Sequence, residues 1–343
     1  MGLVPELSKK PGVFYAVSAD GIELPILDLT HPSFALPVDR TKATALIERY
    51  ARAEARRGRL QQWARRRFYG YFLKRSVLGR ALMGAAGTFL PGMPTYLLKL
   101  GPDHLGAGYA QEIDRRIAAS PAALAMRLRL LDVVTLLAEG LAPLLAADTT
   151  APLHFLNIGG GPASDSLNAL VLLRRDHPAS LAERRVQIHV LDRDEGGPLF
   201  GARALRALGS EGGPLQGLDI ALQHVRYDWT DTAVLDTALA AIRRDGGLVA
   251  GSSEGALFDY GSDEEVRANL ASLRRGSPAG TIVVGTATRA GRARRPGSRR
   301  ERSPHRVAVI PRTFEELEAL VHSAGWRVEK RLETPLQFHV RLV

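Results

Sequence analysis

From residue 153 onward, short apolar runs alternate with segments whose apolar residues recur at helical spacing. The apolar runs predict strands at LHFLNI (153–158), VQIHVLD (186–192), LDIALQHV (218–225), GLVAGSS (247–253) and TIVVGTAT (281–288). The helical spacing predicts helices at 164–175, at about 199–208, at 231–243 and at 263–274. Because each strand is followed by a helix, the pattern predicts right-handed crossovers and a parallel sheet.

Residues 313–343 follow a different order. A helix predicted over 313–324 ends at Gly325, and strands predicted at 326–333 and 337–343 are joined only by a Thr334-Pro335 turn. So short a connection predicts an antiparallel pair. The expected fold class is therefore α/β, with a mostly parallel sheet that ends in an antiparallel hairpin.

The first 150 residues are organised in another way. Residues 1–38 are rich in Pro and Gly, and β-like pieces on either side of Ala19-Asp20-Gly21 predict a hairpin. Apolar residues at helical spacing predict helices within 39–150, including a strongly apolar one at 121–145. The predicted division is an N-terminal arm (1–38), a mainly helical cap domain (39–150) and an α/β domain (151–343).

The net charge of +10 is concentrated in two segments. Residues 52–80 carry +9 and residues 289–306 carry +7, so the rest of the chain is mildly acidic. In 52–80 the aromatic residues recur near helical spacing, which favours an amphipathic helix over a surface that stacks on bases. The second segment, dense in Arg, Pro, Gly and Ser, predicts a flexible loop. We expect no nucleic-acid partner, and a homodimer is left open.

The chain contains no cysteine, which excludes disulfides, thiolate zinc sites and a cysteine nucleophile. Its nine histidines include no pair at convincing metal-ligand spacing, so we expect no metal. The N-terminus lacks the apolar stretch of a signal peptide, and no run approaches the roughly 20 apolar residues that span a bilayer. We therefore expect a cytoplasmic protein without a membrane span.

The first strand of the α/β domain runs directly into a glycine-rich turn, Asn157-Ile158-Gly159-Gly160-Gly161-Pro162-Ala163. Glycine lets the backbone approach a ligand closely, and the helix that follows offers free N–H groups. The turn resembles motif I of the class I S-adenosyl-L-methionine (SAM)-dependent methyltransferases, in which an acidic residue precedes G-x-G-x-G. Asn157 stands at the acidic position and Ala163 at the third glycine, and both are departures. The resemblance implies a Rossmann-like domain that binds SAM.

The same resemblance implies cofactor contacts at the ends of the next two strands. Asp192 ends the second strand, where a carboxylate can accept hydrogen bonds from both ribose hydroxyls. Asp228 and Trp229 follow the third strand, where the family places a carboxylate for the adenine amino group and an apolar cover for the ring. Helix capping is the alternative role for both carboxylates. The expected cofactor site consists of Asn157, Gly159, Gly160, Gly161, Asp192, Asp228 and Trp229.

The reacting edge is expected where the fourth strand ends, because open α/β sheets bind ligands at this edge. Glu254 could act there as a base or orient an amine, and a carboxylate in solvent is the alternative. The helical segment would close over the cofactor and line an acceptor pocket with Tyr96, Tyr109 or their neighbours. The candidate catalytic residues are Tyr227, Ser252, Ser253 and Glu254.

The leading functional interpretation is methyl transfer to a small-molecule acceptor of the natural-product type. The stretch 13–25 ahead of a helical segment also resembles azetidine-2-carboxylate synthases, in which the amine of SAM attacks its own γ-carbon and methylthioadenosine leaves. Transfer of the 3-amino-3-carboxypropyl group to an outside amine, RNA methylation and an inactive scaffold are the further alternatives.

Overall fold

The computed structural model describes residues 8–56, 76–84, 90–105, 112–290 and 309–343. Tyr109, most of the Arg-rich segment 52–80 and all but the first two residues of the predicted loop 289–306 lie outside these ranges. The expectations for them stay predictions.

Ahead of the sheet domain, the described residues form a short hairpin and five α-helices. The hairpin pairs β1 (Tyr15–Val17) antiparallel with β2 (Glu23–Pro25) around the predicted turn. The helices are α1 (Arg40–Arg56), α2 (Val77–Gly84), α3 (Gly92–Leu100), α4 (Glu112–Ala118) and α5 (Pro121–Ala147). The mainly helical character predicted for this part of the chain is confirmed.

The sheet domain alternates strands with helices, as the sequence predicts. Its strands are β3 (Leu153–Ile158), β4 (Val186–Asp192), β5 (Ile220–Arg226), β6 (Leu248–Ser253), β7 (Ile282–Thr288), β8 (Val328–Glu333) and β9 (Gln337–Leu342). Its helices are α6 (Ser164–Asp176), α7 (Gly196–Leu208), α8 (Ala233–Asp245), α9 (Leu257–Tyr260), α10 (Asp263–Gly276) and α11 (Phe314–Ser323).

The seven strands lie in the order β5-β4-β3-β6-β7-β9-β8. β3 pairs parallel with β4 and β6, which pair parallel with β5 and β7 respectively. β9 runs antiparallel to both β7 and β8. This order confirms the predicted Rossmann-like sheet of the class I methyltransferase type. The strand order reverses between β3 and β6, and ligands of open α/β sheets bind at the carboxyl edge beside such a point.

Two apolar clusters cover the two faces of the sheet. Successive side chains of a strand point to opposite faces, and in β3 Leu153 and Phe155 belong to one cluster while Leu156 and Ile158 belong to the other. The first cluster contains residues of α3, α5, α6 and α7, and the second contains residues of α8, α10 and α11. The sheet is therefore the middle layer between two layers of helices.

The long helix α5 belongs to the core of the sheet domain. It packs against α6, β7 and β9, and its Leu130, Val133 and Leu137 are buried. The sequence boundary near residue 150 thus separates two patterns that share one core. By length and composition α5 is apolar enough to cross a membrane, which corrects the expectation that no segment approaches that limit. Half of its most apolar window is buried inside the protein, and the absence of a membrane span stays a prediction.

Candidate functional site

The turn between β3 and α6 forms the floor of a cleft at the carboxyl edge of the sheet. Gly159 and Gly161 have φ values of 64° and 49°, in the left-handed region that favours glycine. A Cβ on Gly159 would lie 2.4 Å from Cβ of Ala256 and 3.3 Å from Cζ3 of Trp229. Ala163 also adopts a left-handed φ of 54°. The residue that replaces the third glycine therefore keeps a backbone conformation typical of glycine.

Two helices, α3 and α7, make close backbone contacts with the floor that the sequence did not indicate. A Cβ on Gly92, the first residue of α3, would lie 2.9 Å from Cα of Gly161. A Cβ on Gly197 in α7 would lie 2.9 Å from the same Cα. Because these glycines have no side chains, α3 and α7 can lie directly against the glycine turn.

Beneath the turn, Asn157 belongs to a buried hydrogen-bond network. Its Nδ2 donates to Oδ1 of Asp165 (2.8 Å) and to Oγ of Ser252 (2.7 Å). Ser252 Oγ in turn donates to Oδ2 of Asp165 (2.7 Å), and Ser166 Oγ donates to Oδ1 of Asn157 (2.9 Å). Burial raises the pKa of the Asp165 carboxyl. All four side chains are buried, and Asp165 also lines the cleft.

Asp165 is a site residue that the sequence reasoning missed. The family pattern has an acidic residue at the position of Asn157, and the structure places the carboxylate of Asp165 within hydrogen-bond distance of that asparagine. Asp165 lies in the first turn of α6, where the helix dipole favours a negative side chain. An acidic residue in this turn was the signal that could have identified it.

Asp192 lies at the end of β4, as predicted, and lines the cleft. Its Oδ2 accepts the N–H of Gly161 (2.8 Å), and its Oδ1 accepts the N–H of Asp194 (2.9 Å). Burial raises the pKa of this carboxyl. A carboxylate has about four acceptor positions, so both oxygens can still accept hydrogen bonds from a ligand.

The two residues predicted to contact adenine occupy different places. Trp229 lines the cleft, beside Gly159. Asp228 is not among the residues that line the cleft. Its Oδ1 accepts hydrogen bonds from the N–H (3.2 Å) and from the hydroxyl (2.9 Å) of Thr230. Its Oδ2 lies 3.5 Å from Nη1 of Arg193. In this geometry the Asp228 side chain stabilises a local turn. Its role therefore resembles helix capping, the alternative given above, more than a contact with adenine.

The predicted catalytic hydroxyls are engaged inside the protein. Tyr227 donates its hydroxyl to Oδ1 of Asn269 (2.5 Å), and burial raises the pKa of this phenol. Ser253 Oγ accepts the N–H of Leu257 (3.0 Å). Of these two residues only Tyr227 lines the cleft, and neither Ser253 nor Ser252 does. The structure therefore does not bring these hydroxyls together as a reacting group.

One wall of the cleft carries a buried cluster of charges around Glu254. Its Oε1 accepts a hydrogen bond from Nε of Arg129 (2.6 Å), and its Oε2 pairs with the ammonium of Lys99. The three side chains are only 5–8% exposed. Burial alone would raise the pKa of Glu254, but the charges of Lys99 and Arg129 outweigh it and hold the pKa below its ordinary value. Glu254 is therefore a charged and weak base, not a carboxylate in solvent.

The partners of Glu254 come from helices far away in sequence. Lys99 lies in α3 and Arg129 in α5, 155 and 125 residues before Glu254. Gly255, with a φ of 67°, makes room for the guanidinium, because a Cβ there would lie 2.4 Å from Nη1 of Arg129. No local pattern links these positions, so the sequence reasoning did not find Lys99 or Arg129.

Tyr96, a candidate for the acceptor pocket, fastens the N-terminal arm to α3 instead. Its hydroxyl donates to the carbonyl oxygen of Pro25 (2.7 Å) and accepts the N–H of Leu27 (2.9 Å). The ring is buried against Phe200, with ring centroids 4.9 Å apart. Tyr96 does not line the cleft, so it acts here as a structural anchor.

The floor and the wall together border a cleft of about 740 Å³, part of which is open to solvent. The glycine turn, Asp192, Trp229 and Glu254 all border this one space. Within the described ranges, no group of three or more His, Asp or Glu side chains could hold a metal ion.

No protein-family model and no curated protein matches the sequence. The chain is similar to the solved structure of a possible exported protein from Bordetella parapertussis, with a TM-score of 0.57, 20% identity, and coverage of 89% of this chain and 96% of that one. It is also similar to 1,6-didemethyltoxoflavin-N1-methyltransferase from Burkholderia thailandensis (TM-score 0.41, 14% identity, 62% and 77% coverage). A third similarity is to magnesium protoporphyrin IX methyltransferase from Synechocystis (TM-score 0.40, 13% identity, 65% and 86% coverage). The first similarity supports the fold over most of the chain.

Proposed function

We propose that this chain is a SAM-dependent methyltransferase that acts on a small molecule. The observation that carries the proposal is the position of Asp192 against the glycine turn. The bare backbone of Gly159 to Gly161 and the carboxylate at the end of β4 border one cleft, and Asp192 accepts the N–H of Gly161. A carboxylate at this position of a nucleotide-binding sheet is suited to the two ribose hydroxyls.

The other residues of the cleft fit the remaining parts of SAM. Leu191 and Trp229 offer apolar surface for the adenine ring. Asp165 and Glu254 add carboxyl groups to the same lining, and carboxyl oxygens can accept hydrogen bonds from the ammonium of the cofactor. The departure at Asn157 is compatible with this arrangement, because Asp165 brings a carboxyl group to the same place.

When bound, the cofactor supplies an electrophilic methyl group on a sulfonium. The task of the protein is then to align an acceptor with that methyl group and to keep water away. α3 contributes by lying over the floor, and Leu90, Thr95 and Tyr260 extend the lining of the cleft. A cleft covered by a helix suits a small molecule better than a folded nucleic acid.

The protonation state of Glu254 limits the chemistry of the acceptor. With its pKa held below the ordinary value by Lys99 and Arg129, it attracts a proton weakly at neutral pH. Its place in two buried ion pairs also restrains its movement toward a substrate. We therefore expect an acceptor that is already ionised or readily deprotonated.

The test is to incubate the purified protein with SAM and a panel of carboxylates, phenols and amines, and to follow the products by mass spectrometry. We expect S-adenosylhomocysteine together with one methylated acceptor, both strongly reduced in the Asp192→Ala variant. Methylthioadenosine formed from SAM alone, faster than in buffer, would contradict methyl transfer and support attack on the γ-carbon. Failure of S-adenosylhomocysteine to bind at all would contradict the cofactor assignment.

A further inference from the structure

A second cavity lies between the N-terminal arm, α3 and α5. Its volume is about 410 Å³, part of which is open to solvent. Its apolar lining is made mostly of Leu27, Leu29, Phe34, Leu36, Leu130 and Leu131. The charged residues of the lining are Lys99 and Arg127, both cations. A cavity with apolar walls and two cations is complementary to a small anion with an apolar body.

Lys99 lines this cavity and the cofactor cleft at the same time. On the side of the cleft its ammonium pairs with Glu254, and its side chain is only 7% exposed. The residue therefore stands in the wall between the two spaces. A ligand that reaches Lys99 from the second cavity has its anionic end at that wall.

Arg127 has room for an anionic partner. Its Nη2 donates to the carbonyl oxygens of Phe34 (3.3 Å) and Ala35 (3.0 Å), and it forms no salt bridge with any residue that the structure describes. Burial lowers the pKa of this guanidinium, although the charge of Asp103 acts in the opposite direction. Arginine presents a planar fork of donors that matches a carboxylate, so a bound carboxylate would compensate for the burial of Arg127.

The surroundings of Arg127 are also positive. Lys10 Nζ lies 3.0 Å from Nε2 of His104, whose ring packs on Phe34 with centroids 4.6 Å apart. Burial, followed by the charges of Lys10 and other cations, lowers the pKa of His104 to about 4. Asp103 is the carboxylate that opposes these charges. An anion would therefore be attracted to this end of the cavity.

We propose that the second cavity binds a small apolar carboxylic acid, with its carboxylate between Lys99 and Arg127. The site is separate from the cofactor cleft, so binding of the acid does not depend on the proposed function and can be tested without the cofactor.

The experiment starts with calorimetric titration of octanoate and octanamide into the full-length protein without SAM. We expect octanoate to bind at least about tenfold more tightly than octanamide, because only octanoate makes charge-assisted hydrogen bonds. Arg127→Gln should weaken octanoate binding by about tenfold or more and leave octanamide unchanged. Arg174→Gln is the matched control, since Arg174 is half-buried like Arg127, donates to the carbonyl oxygen of Pro178 just beyond α6 (3.4 Å), and lies outside the cavity.

Lys99→Met is a second variant and is expected to weaken octanoate binding as well. Because it also removes a partner of Glu254, its folding has to be verified by circular dichroism, and Arg127→Gln remains decisive if it unfolds. Equal affinity for octanoate and octanamide, or unchanged affinity in Arg127→Gln, would overturn the site.

Titration of S-adenosylhomocysteine into the same protein separates this site from the proposed function. If octanoate shows the expected pattern but S-adenosylhomocysteine does not bind, the proposed function fails and the carboxylate site stands. If S-adenosylhomocysteine binds but octanoate does not show the expected pattern, the carboxylate site fails and the proposed function stands.

Discussion

Two buried carboxyl groups line the same cleft in opposite electrostatic surroundings. Asp165, in the floor, is held by the neutral donors Asn157 and Ser252, and burial raises its pKa. Glu254, in the wall, lies between two cations that outweigh the effect of burial and lower its pKa. Burial alone therefore does not decide the charge of a site carboxyl group. The charge also depends on whether the hydrogen-bond partners of the carboxyl group are neutral dipoles or ions.

The two carboxyl groups also differ in where their partners lie along the chain. Asn157 and Asp165 belong to one strand–turn–helix unit, and Ser252 is the penultimate residue of the adjacent parallel strand β6. Lys99 and Arg129 come from helices that precede the sheet domain. The floor is thus built by the α/β unit itself, whereas the wall depends on how the N-terminal helices pack against the sheet.

The largest effect is expected from Glu254→Gln. The substitution leaves Lys99 and Arg129 buried with one negative partner fewer, and breaking a buried ion pair in this way costs about 3–5 kcal/mol of unfolding free energy. Since the folded pKa of Glu254 lies below its ordinary value, its stabilising contribution is present above that ordinary value and is lost as the pH falls through the folded pKa. The difference from wild type should therefore shrink on acidification. Urea unfolding at several pH values measures it.

Glu48→Gln is the matched control for Glu254→Gln. It removes a carboxylate from an exposed pair with Arg52 in α1, and such a pair contributes less than about 1 kcal/mol. Equal losses in the two variants would contradict the buried ion-pair wall.

Gly159→Ala tests the floor directly. The new Cβ would meet Ala256 at 2.4 Å in a backbone conformation that favours glycine, so the turn must shift. We expect S-adenosylhomocysteine to bind at least about tenfold more weakly by calorimetry, a loss of about 1.4 kcal/mol. Gly212→Ala is the control, because it has a φ of +75° but nothing within 4 Å of its Cβ position. A similar loss of affinity in both variants would refute the role of the floor.

The smallest effect is expected from Asp165→Asn. The folded pKa of Asp165 lies above 3.8, so the stability it contributes is present below that value and is lost as the pH rises through the folded pKa. Its partners are dipoles, and an amide can replace one hydrogen bond at a cost of about 1 kcal/mol. Unfolding measurements should therefore find the variant slightly less stable near pH 4 and gaining on wild type toward pH 8. The opposite trend would mean that Asp165 is stabilised as an anion.

The strands and helices of the sheet domain could be predicted from the sequence because hydrophobic periodicity is a local pattern. Each predicted strand of the domain is present, and the short connection at Thr334 identified the antiparallel hairpin. The glycine turn and Asp192 could be placed for the same reason, since parallel strands end at one edge of the sheet. The roles expected of Ser252 and Ser253 did not follow from this position, because strand-end hydroxyls can turn toward the core as well as toward the cleft.

Other features depend on tertiary packing that no local pattern encodes. Lys99 and Arg129 look in sequence like polar residues that face solvent, yet both are buried against Glu254. Two further contacts also depend on tertiary packing. Gly92 packs on Gly161, and the hydroxyl of Tyr96 bonds to Pro25 of the N-terminal arm. Such contacts join segments about 70 or more residues apart, and only the assembled fold reveals them.

The central claim is that SAM lies along the glycine turn with its ribose on Asp192. Calorimetric titration of S-adenosylhomocysteine into wild type, Asp192→Ala and Asp228→Ala tests it most directly, because the structure puts only the first of these carboxylates in the cleft. We predict a loss of affinity of at least about tenfold for Asp192→Ala, as expected when two hydrogen bonds to a charged group are removed, and little change for Asp228→Ala. Unchanged affinity in Asp192→Ala, or a loss confined to Asp228→Ala, would contradict this account of the site.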